Sequence, residues 1–123
     1  MEKHILISDD SPLIRKTLRQ VLEKEDSWVV VGEAENGKEA IEKAQELKPD
    51  LVILDLSMPV MNGIRAAREL KRVMPATPLV MFTNMTTPDL AQMVLSSGVN
   101  AVISKSEAGV LVRRIYDLLE SAA

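Results

Sequence analysis

The sequence predicts an α/β fold, a doubly wound parallel sheet covered by helices on both faces. Two observations lead there. Five short apolar runs recur at nearly even spacing, and each is followed by a segment with helical periodicity and its own start signal. The runs are mostly continuous rather than alternating, and rich in β-branched residues, which is how strands buried on both faces read. Strand and helix thus alternate five times. Right-handed crossovers between parallel strands then give three layers.

Taken in order, Ile5-Leu6-Ile7 is the first strand. Ser11-Pro12 supplies an N-cap and a first-turn proline ahead of Ile14, Leu18, Val21 and Leu22. Val29-Val30-Val31 is the second strand, and Asn36-Gly37-Lys38-Glu39 resembles a capping box before Ala40, Ile41, Ala44 and Leu47. The third strand, Leu51-Val52-Ile53-Leu54, precedes a helix opened by Asn62-Gly63 with Ile64, Ala67 and Leu70 inward. The fourth, Leu79-Val80-Met81-Phe82, precedes one opened by Thr87-Pro88-Asp89 with Leu90, Met93 and Val94 inward. The fifth, Ala101-Val102-Ile103, leads to a helix capped by Ser106 with Leu111, Ile115 and Leu118 on one face. Lys48-Pro49 and Met74-Pro75 end helices before the next strands.

A chain of 123 residues is the length of one domain, so residues 1–123 are expected to form a single unit with no second domain attached. With 46% hydrophobic residues, five glycines and six prolines, it can bury a core and is not a low-complexity chain. A net charge of −3 provides no basic footprint for direct nucleic-acid binding. The lack of cysteine excludes disulfides and thiolate chemistry, and a single histidine leaves no His-ligated metal cluster. One residue each of Trp, Tyr and Phe is too few for a ring-stacking cofactor site. The opening MEKHILISDD has no apolar stretch of signal or membrane length, so a cytoplasmic protein with no membrane partner is expected.

The polar residues that interrupt the strand pattern collect at one edge. Asp9 and Asp10 follow the first strand, Asp55 ends the third, Thr83 ends the fourth and Lys105 follows the fifth. In an open α/β sheet, the carboxyl ends of the strands form the binding crevice. Singly, most of these residues read as caps, turn residues or surface charges. Asp55 resists that reading, because it sits in the apolar run Leu51–Leu56, where an unpaired charge is costly. Three carboxylates in one cleft repel one another unless a hard divalent cation joins them. A lysine and a hydroxyl donor beside them complete a set suited to phosphoryl transfer.

The motifs Asp9-Asp10-Ser11-Pro12 and Asp55-Leu-Ser-Met-Pro-Val-Met-Asn-Gly63, with Thr83 and Lys105 at 28 and 50 residues beyond Asp55, resemble the receiver domain of the two-component response regulators. The resemblance covers nearly the whole chain. It implies a CheY-like, flavodoxin-like sheet with strand order 2-1-3-4-5. It implies that Asp55 accepts a phosphoryl group from a sensor histidine kinase or phosphotransfer protein. Mg²⁺ (or Mn²⁺) would be held by Asp10 directly, by Asp9 mainly through water, and by Asp55 and the Ser57 carbonyl. Lys105 would pair first with Asp55 and then with the phosphoryl group, while Thr83 moves toward that group. The surface of the fourth helix, fifth strand and fifth helix would then change for an unidentified downstream effector, or for a second copy of the chain as a homodimer on activation.

Some positions depart from the family pattern. Val102 stands where an aromatic switch residue is common, so no ring reports activation there. Ser106 stands where proline is common, so the Lys105–Ser106 bond is expected to be trans. Ser57 and Met85 occupy the positions that tune phosphoryl lifetime, and Met85 cannot orient an attacking water well, which implies slow loss of the group.

The reading is a switch with at most slow autophosphatase activity, not an enzyme acting on free substrates. A metal-dependent phosphohydrolase lacks its Asp-x-Asp pair here, and a phosphorylation-independent interaction module has no reason to keep all five polar residues. A stand-alone regulator, a phosphorelay intermediate and the receiver part of a longer DNA-binding transcriptional regulator all fit the chain. His4, placed before the first strand, reads as an ordinary polar residue, and Trp28, at the start of the second, as a packing residue, both far from the cleft; Met81 and Met93 read as core. The basic side of the third helix (Arg65, Arg68, Lys71, Arg72) reads as a solvated face.

Overall fold

The computed structural model describes residues 2–84 and 87–121. Its elements run β1 (Lys3–Ser8), α1 (Pro12–Leu22), β2 (Trp28–Ala34), α2 (Gly37–Leu47), β3 (Leu51–Leu54), α3 (Gly63–Val73), β4 (Leu79–Thr83), α4 (Pro88–Leu95), β5 (Ala101–Ser104) and α5 (Ala108–Ser121). All strand pairs are parallel, and the sheet order is β2-β1-β3-β4-β5. The chain steps outward from β1 to β2, then crosses back over β1 to β3. The direction of winding therefore reverses between β1 and β3, and their carboxyl ends frame the crevice. Among the described residues, no helix is long and apolar enough to cross a membrane.

The sheet separates two cores. Ile5, Ile7, Val30, Ile53, Phe82 and Ile103 pack against Leu18 and Leu22 of α1 and Leu111 and Ile115 of α5. Leu6, Val52, Leu54 and Met81 pack against Ala40 and Ala44 of α2, Ala66, Ala67 and Leu70 of α3, and Val94 of α4. The small alanines let α2 and α3 approach the sheet closely, so the strand ends above them are held on a rigid floor.

Four helices open on the caps expected of them. Ser11, Asn36, Asn62 and Thr87 accept the backbone N–H of Ile14, Glu39, Arg65 and Leu90. At α2 the box closes with a shift of one residue: the Glu39 carboxylate accepts the N–H of Glu35 at 2.9 Å. Asn36→Ala is expected to lower stability by about 1 kcal/mol, read from the urea midpoint with the slope unchanged.

Several expectations are corrected. His4 lies within β1, because the strand starts at Lys3. Ser106 does not cap α5: the helix begins at Ala108, Glu107 O accepts Leu111 N–H, and the Ser106 hydroxyl is hydrogen-bonded to that of Ser104 at 2.9 Å. Leu119 is buried in the core, while Leu118 is only half-buried against it. Met93 is 54% exposed, since α4 is a short helix at the β5 edge of the sheet and buries Val94 instead. Met81 is fully buried, as expected. No cis peptide bond occurs among the described residues.

One irregularity in β2 matters for the site. The β1–β2 register runs Ile5↔Val30 and then Leu6↔Gly32, so Val31 is an extra residue. A one-residue bulge reverses which face the following side chains occupy. Beyond it, Ala34 enters the α2 core, and Glu33 turns to the α1 side, where it meets Arg15 and Arg19. Gly32 tolerates the crowding there, since a Cβ would stand 2.8 Å from Leu47 Cδ1.

Candidate functional site

The strand ends deliver the polar residues to one place. Asp9 and Asp10 leave β1, Asp55 leaves β3, and ligand oxygens from the three carboxylates lie within 4.8 Å of one another. Asp9 is 1% exposed and Asp55 5%, whereas Asp10 is exposed. Lys105, arriving from β5, reaches both buried acids: its Nζ is 2.8 Å from Asp9 Oδ2 and 3.3 Å from Asp55 Oδ2. The expected pairing with Asp55 is present, but the shorter contact is to Asp9. The reason is that Asp9 is held in place by other bonds. Its Oδ1 accepts Ser11 N–H at 2.9 Å, and its backbone N–H donates to Ala34 O at 3.0 Å.

The charges do not balance. Burial, then the neighbouring Asp9 carboxylate, push the Asp55 carboxyl above the ordinary aspartate range, with Lys105 offsetting only part of this. Burial alone would lower the Lys105 pKa, but hydrogen bonding and charge from Asp9 and Asp55 outweigh it and hold the ammonium above the ordinary lysine value. Lys105 is therefore a fixed cation, and Asp55 is a carboxylate short of positive charge. An all-oxygen donor set with one exposed acid fits a hard divalent cation such as Mg²⁺, which binds through few protein carboxylates and keeps waters.

The loop after Asp55 is built by close backbone contacts. Asp55 N–H donates to Ser8 O at 2.8 Å and Gly63 N–H to Leu56 O at 2.9 Å. Gly37 N–H, at the start of α2, donates to Met61 O at 2.9 Å. Between these ties Met61 N–H closes a three-residue turn onto Pro59 O, with Val60 at φ 66°. A β-branched residue with positive φ is strained, and Val60 is held there by the bonds on either side. The resulting wall, with Ser57 exposed on it, bounds a cleft of about 560 Å³ shared by Asp10, Leu56, Ser57, Met58, Pro59 and Asn62.

Thr83 is buried at the end of β4, and its carbonyl accepts Lys105 N–H at 3.1 Å, so the two residues are coupled through the backbone. Val102 is half-buried on the α4 side of β5. Met85 lies outside the described residues. The linear reading missed Arg15, whose Nη1 donates to the Asp9 carbonyl at 2.7 Å, and its partner Glu33. Glu33 carries its signal only in the bulge, which a run of valines conceals. Burial would raise its pKa, but hydrogen bonds from Arg19 and Arg15 bring it below the ordinary glutamate value.

Comparison with known proteins agrees with this geometry. The sequence profile of the response regulator receiver domain matches residues 5–116. A protein-glutamate methylesterase/protein-glutamine glutaminase of Alkalilimnicola ehrlichii is 44% identical over 86 residues, covering 70% of this chain and 22% of that protein. A second protein of that name, from Photobacterium profundum, is 36% identical over 111 residues, covering 90% of this chain and 26% of its own length. The chain thus spans about a quarter of the length of these curated relatives. Among crystal structures, the response regulator domain of Thermotoga maritima CheB superposes with a TM-score of 0.91 at 29% identity, covering 98% of each chain. A LuxR-family two-component response regulator from Aurantimonas sp. gives 0.93 at 29% identity, covering 98% of this chain and 87% of that one. The chain belongs to the response-regulator receiver domains, the phosphorylation-activated switches of two-component systems.

Proposed function

We propose that Asp55 is the phosphoacceptor of this receiver, and that residues 1–123 act as one switch unit. The observation that carries this is the Lys105 ammonium bridging Asp9 and Asp55 in a buried acid cluster at the carboxyl edge of the sheet. An Asp55 carboxylate oxygen attacks the phosphorus of a phosphohistidine on a sensor kinase or phosphotransfer protein. The new O–P bond forms as the P–N bond breaks, and the departing imidazole keeps the electron pair. Mg²⁺ or Mn²⁺, when bound, neutralises charge on the phosphoryl oxygens and the acids around them. Asp10, Asp55 and the Ser57 carbonyl would hold it directly. Asp9 would contribute mainly through water, in keeping with carboxylate oxygens already engaged by Ser11 and Lys105.

Lys105 transfers its ion pair to the phosphoryl group, and the Thr83 hydroxyl donates to that group. An aspartyl phosphate adds roughly two negative charges, enough to draw Thr83 and the half-buried Val102 toward a conformation already sampled. The face of α4, β5 and α5 then changes for a downstream effector or a second copy of the chain. Ser57 and Met85 set how long the phosphoryl group survives.

Intact mass after treatment with acetyl phosphate and Mg²⁺ tests the assignment. One added phosphoryl group is expected, lost in Asp55→Asn and in the presence of chelator. No adduct with any small donor would instead favour a phosphorylation-independent interaction module.

A further inference from the structure

We propose that Arg15, buttressed by Glu33, is a positioning residue for the acid pair: it fixes the Asp9–Asp10 peptide and so aims the Asp10 carboxylate at the divalent cation. This rests on the metal-dependent reading above.

The Asp9 carbonyl belongs to the peptide plane that joins Asp9 to Asp10. Its direction decides where the Asp10 side chain leaves the backbone. Arg15 Nη1 donates to that carbonyl at 2.7 Å. The guanidinium has little freedom to do otherwise. The Arg15 side chain is 11% exposed, its Nε is 3.0 Å from Glu33 Oε1, and Glu35 approaches it at 3.6 Å. Glu33 is in turn immobilised from several sides. Arg19 Nε donates to its second oxygen at 2.9 Å, and Arg19 Nη2 lies 2.8 Å from the same atom as an ion pair. Lys43 of α2 caps its main-chain carbonyl.

The bulge at Val31 is what brings Glu33 to this face. In an unbroken strand, Glu33 would share the side of Val29 and Val31, toward α2, and Arg15 would have no carboxylate to brace it. Bulges next to functional sites commonly re-aim a side chain. Here the re-aimed chain acts through Arg15 on the site's backbone. The exposed Asp10 needs such placement more than Asp9, whose carboxylate is already clamped by Ser11 and Lys105.

A tie that merely held α1 to β2 would behave differently from a positioning residue, and Arg19 supplies the contrast. It bonds the same Glu33 but donates to Val30 O rather than to Asp9. The experiment measures Mg²⁺ affinity by isothermal titration for the wild type, Arg15→Gln, Arg15→Lys, Glu33→Gln and Arg19→Gln, with folding checked by circular dichroism. Amide shifts of Asp10 and Ser11 are followed in parallel by NMR. Arg15→Gln is expected to weaken Mg²⁺ binding five- to tenfold and to move both amide signals. Glu33→Gln should weaken it two- to threefold, Arg15→Lys should recover part of the loss, and Arg19→Gln should leave affinity within twofold of wild type. Acetyl-phosphate labelling at saturating Mg²⁺ should stay within twofold of wild type in Arg19→Gln. Unchanged affinity in Arg15→Gln, or equal losses in Arg15→Gln and Arg19→Gln, would overturn the proposal. If Arg15→Gln does not fold, Glu33→Gln against Arg19→Gln decides the matter by the same comparison. A wild type that binds no Mg²⁺ would defeat the parent reading itself.

Discussion

Gly63→Ala is expected to lower stability by roughly 3 kcal/mol and the melting temperature by on the order of 10 °C. The added Cβ would stand 2.2 Å from the Asp55 carbonyl oxygen and 2.9 Å from Met81 Sδ. The sulfur lies on a flexible side chain and can retreat; the carbonyl cannot. It directly follows β3, the Asp55 N–H is bonded to Ser8 O, and Gly63 N–H is bonded to Leu56 O, so the strand end and the helix start are stitched together at this contact. Relief requires moving either α3 or Asp55. Since the displaced atom belongs to the proposed phosphoacceptor, labelling by acetyl phosphate should fall even where the variant remains folded. Thermal melts and urea midpoints read the first effect and intact mass the second. An unchanged melting temperature would show that the loop yields more easily than its hydrogen bonds suggest.

The second large effect concerns charge. In chelator, Lys105→Met should lose roughly 3 kcal/mol, because it strands two buried carboxylates without a cation, and Mg²⁺ should restore much of the loss. Asp55→Asn should move the other way, gaining stability and melting at a higher temperature than wild type at neutral pH. The raised Asp55 pKa gives the sign. Below the unfolded pKa the carboxyl is protonated in both states, and burying it carries no charge penalty. As pH rises from there through the folded pKa, the penalty develops, and above the folded pKa it is complete. Metal-free wild type should therefore lose stability across that window as pH rises, while Asp55→Asn lacks this contribution. Melting curves at several pH values, with and without Mg²⁺, check both variants. A lower melting temperature for Asp55→Asn in chelator would mean that Lys105 stabilises the ionised acid more than burial and Asp9 oppose it.

The parts of this domain that could be read from the chain are those set by local periodicity. Continuous β-branched runs identify strands covered on both faces, and Ser11, Asn36, Asn62 and Thr87 mark helix starts by chemistry that acts within three residues. Once strand and helix alternate, every strand's carboxyl end lies on one edge, so Asp9, Asp10, Asp55 and Lys105 could be grouped before any coordinates. What could not be read depends on register and competition. Val29-Val30-Val31 looks uniform, yet its last residue is the bulge, and everything after it changes face. Ser106 carries the right side chain for a cap, but Ser104 competes for its hydroxyl and α5 starts two residues later. Met93 fits the helical period and still faces solvent, because an edge helix of eight residues has little sheet to cover it.

The place of the lone tryptophan at the foot of β2 has a practical consequence. Trp28 is buried against the Tyr116 ring of α5, with ring centroids 4.5 Å apart, and the Tyr116 hydroxyl donates to the Glu25 carboxylate just before that strand. Its emission is thus a single-site optical signal coming from the seam between β2 and α5, at the opposite end of the sheet from the acids. Cation binding in the cleft should leave it nearly silent, whereas any shift of α5 that follows phosphorylation should change the surroundings of the indole by moving the Tyr116 ring. The chain carries a built-in fluorophore that separates loading of the site from movement of α5.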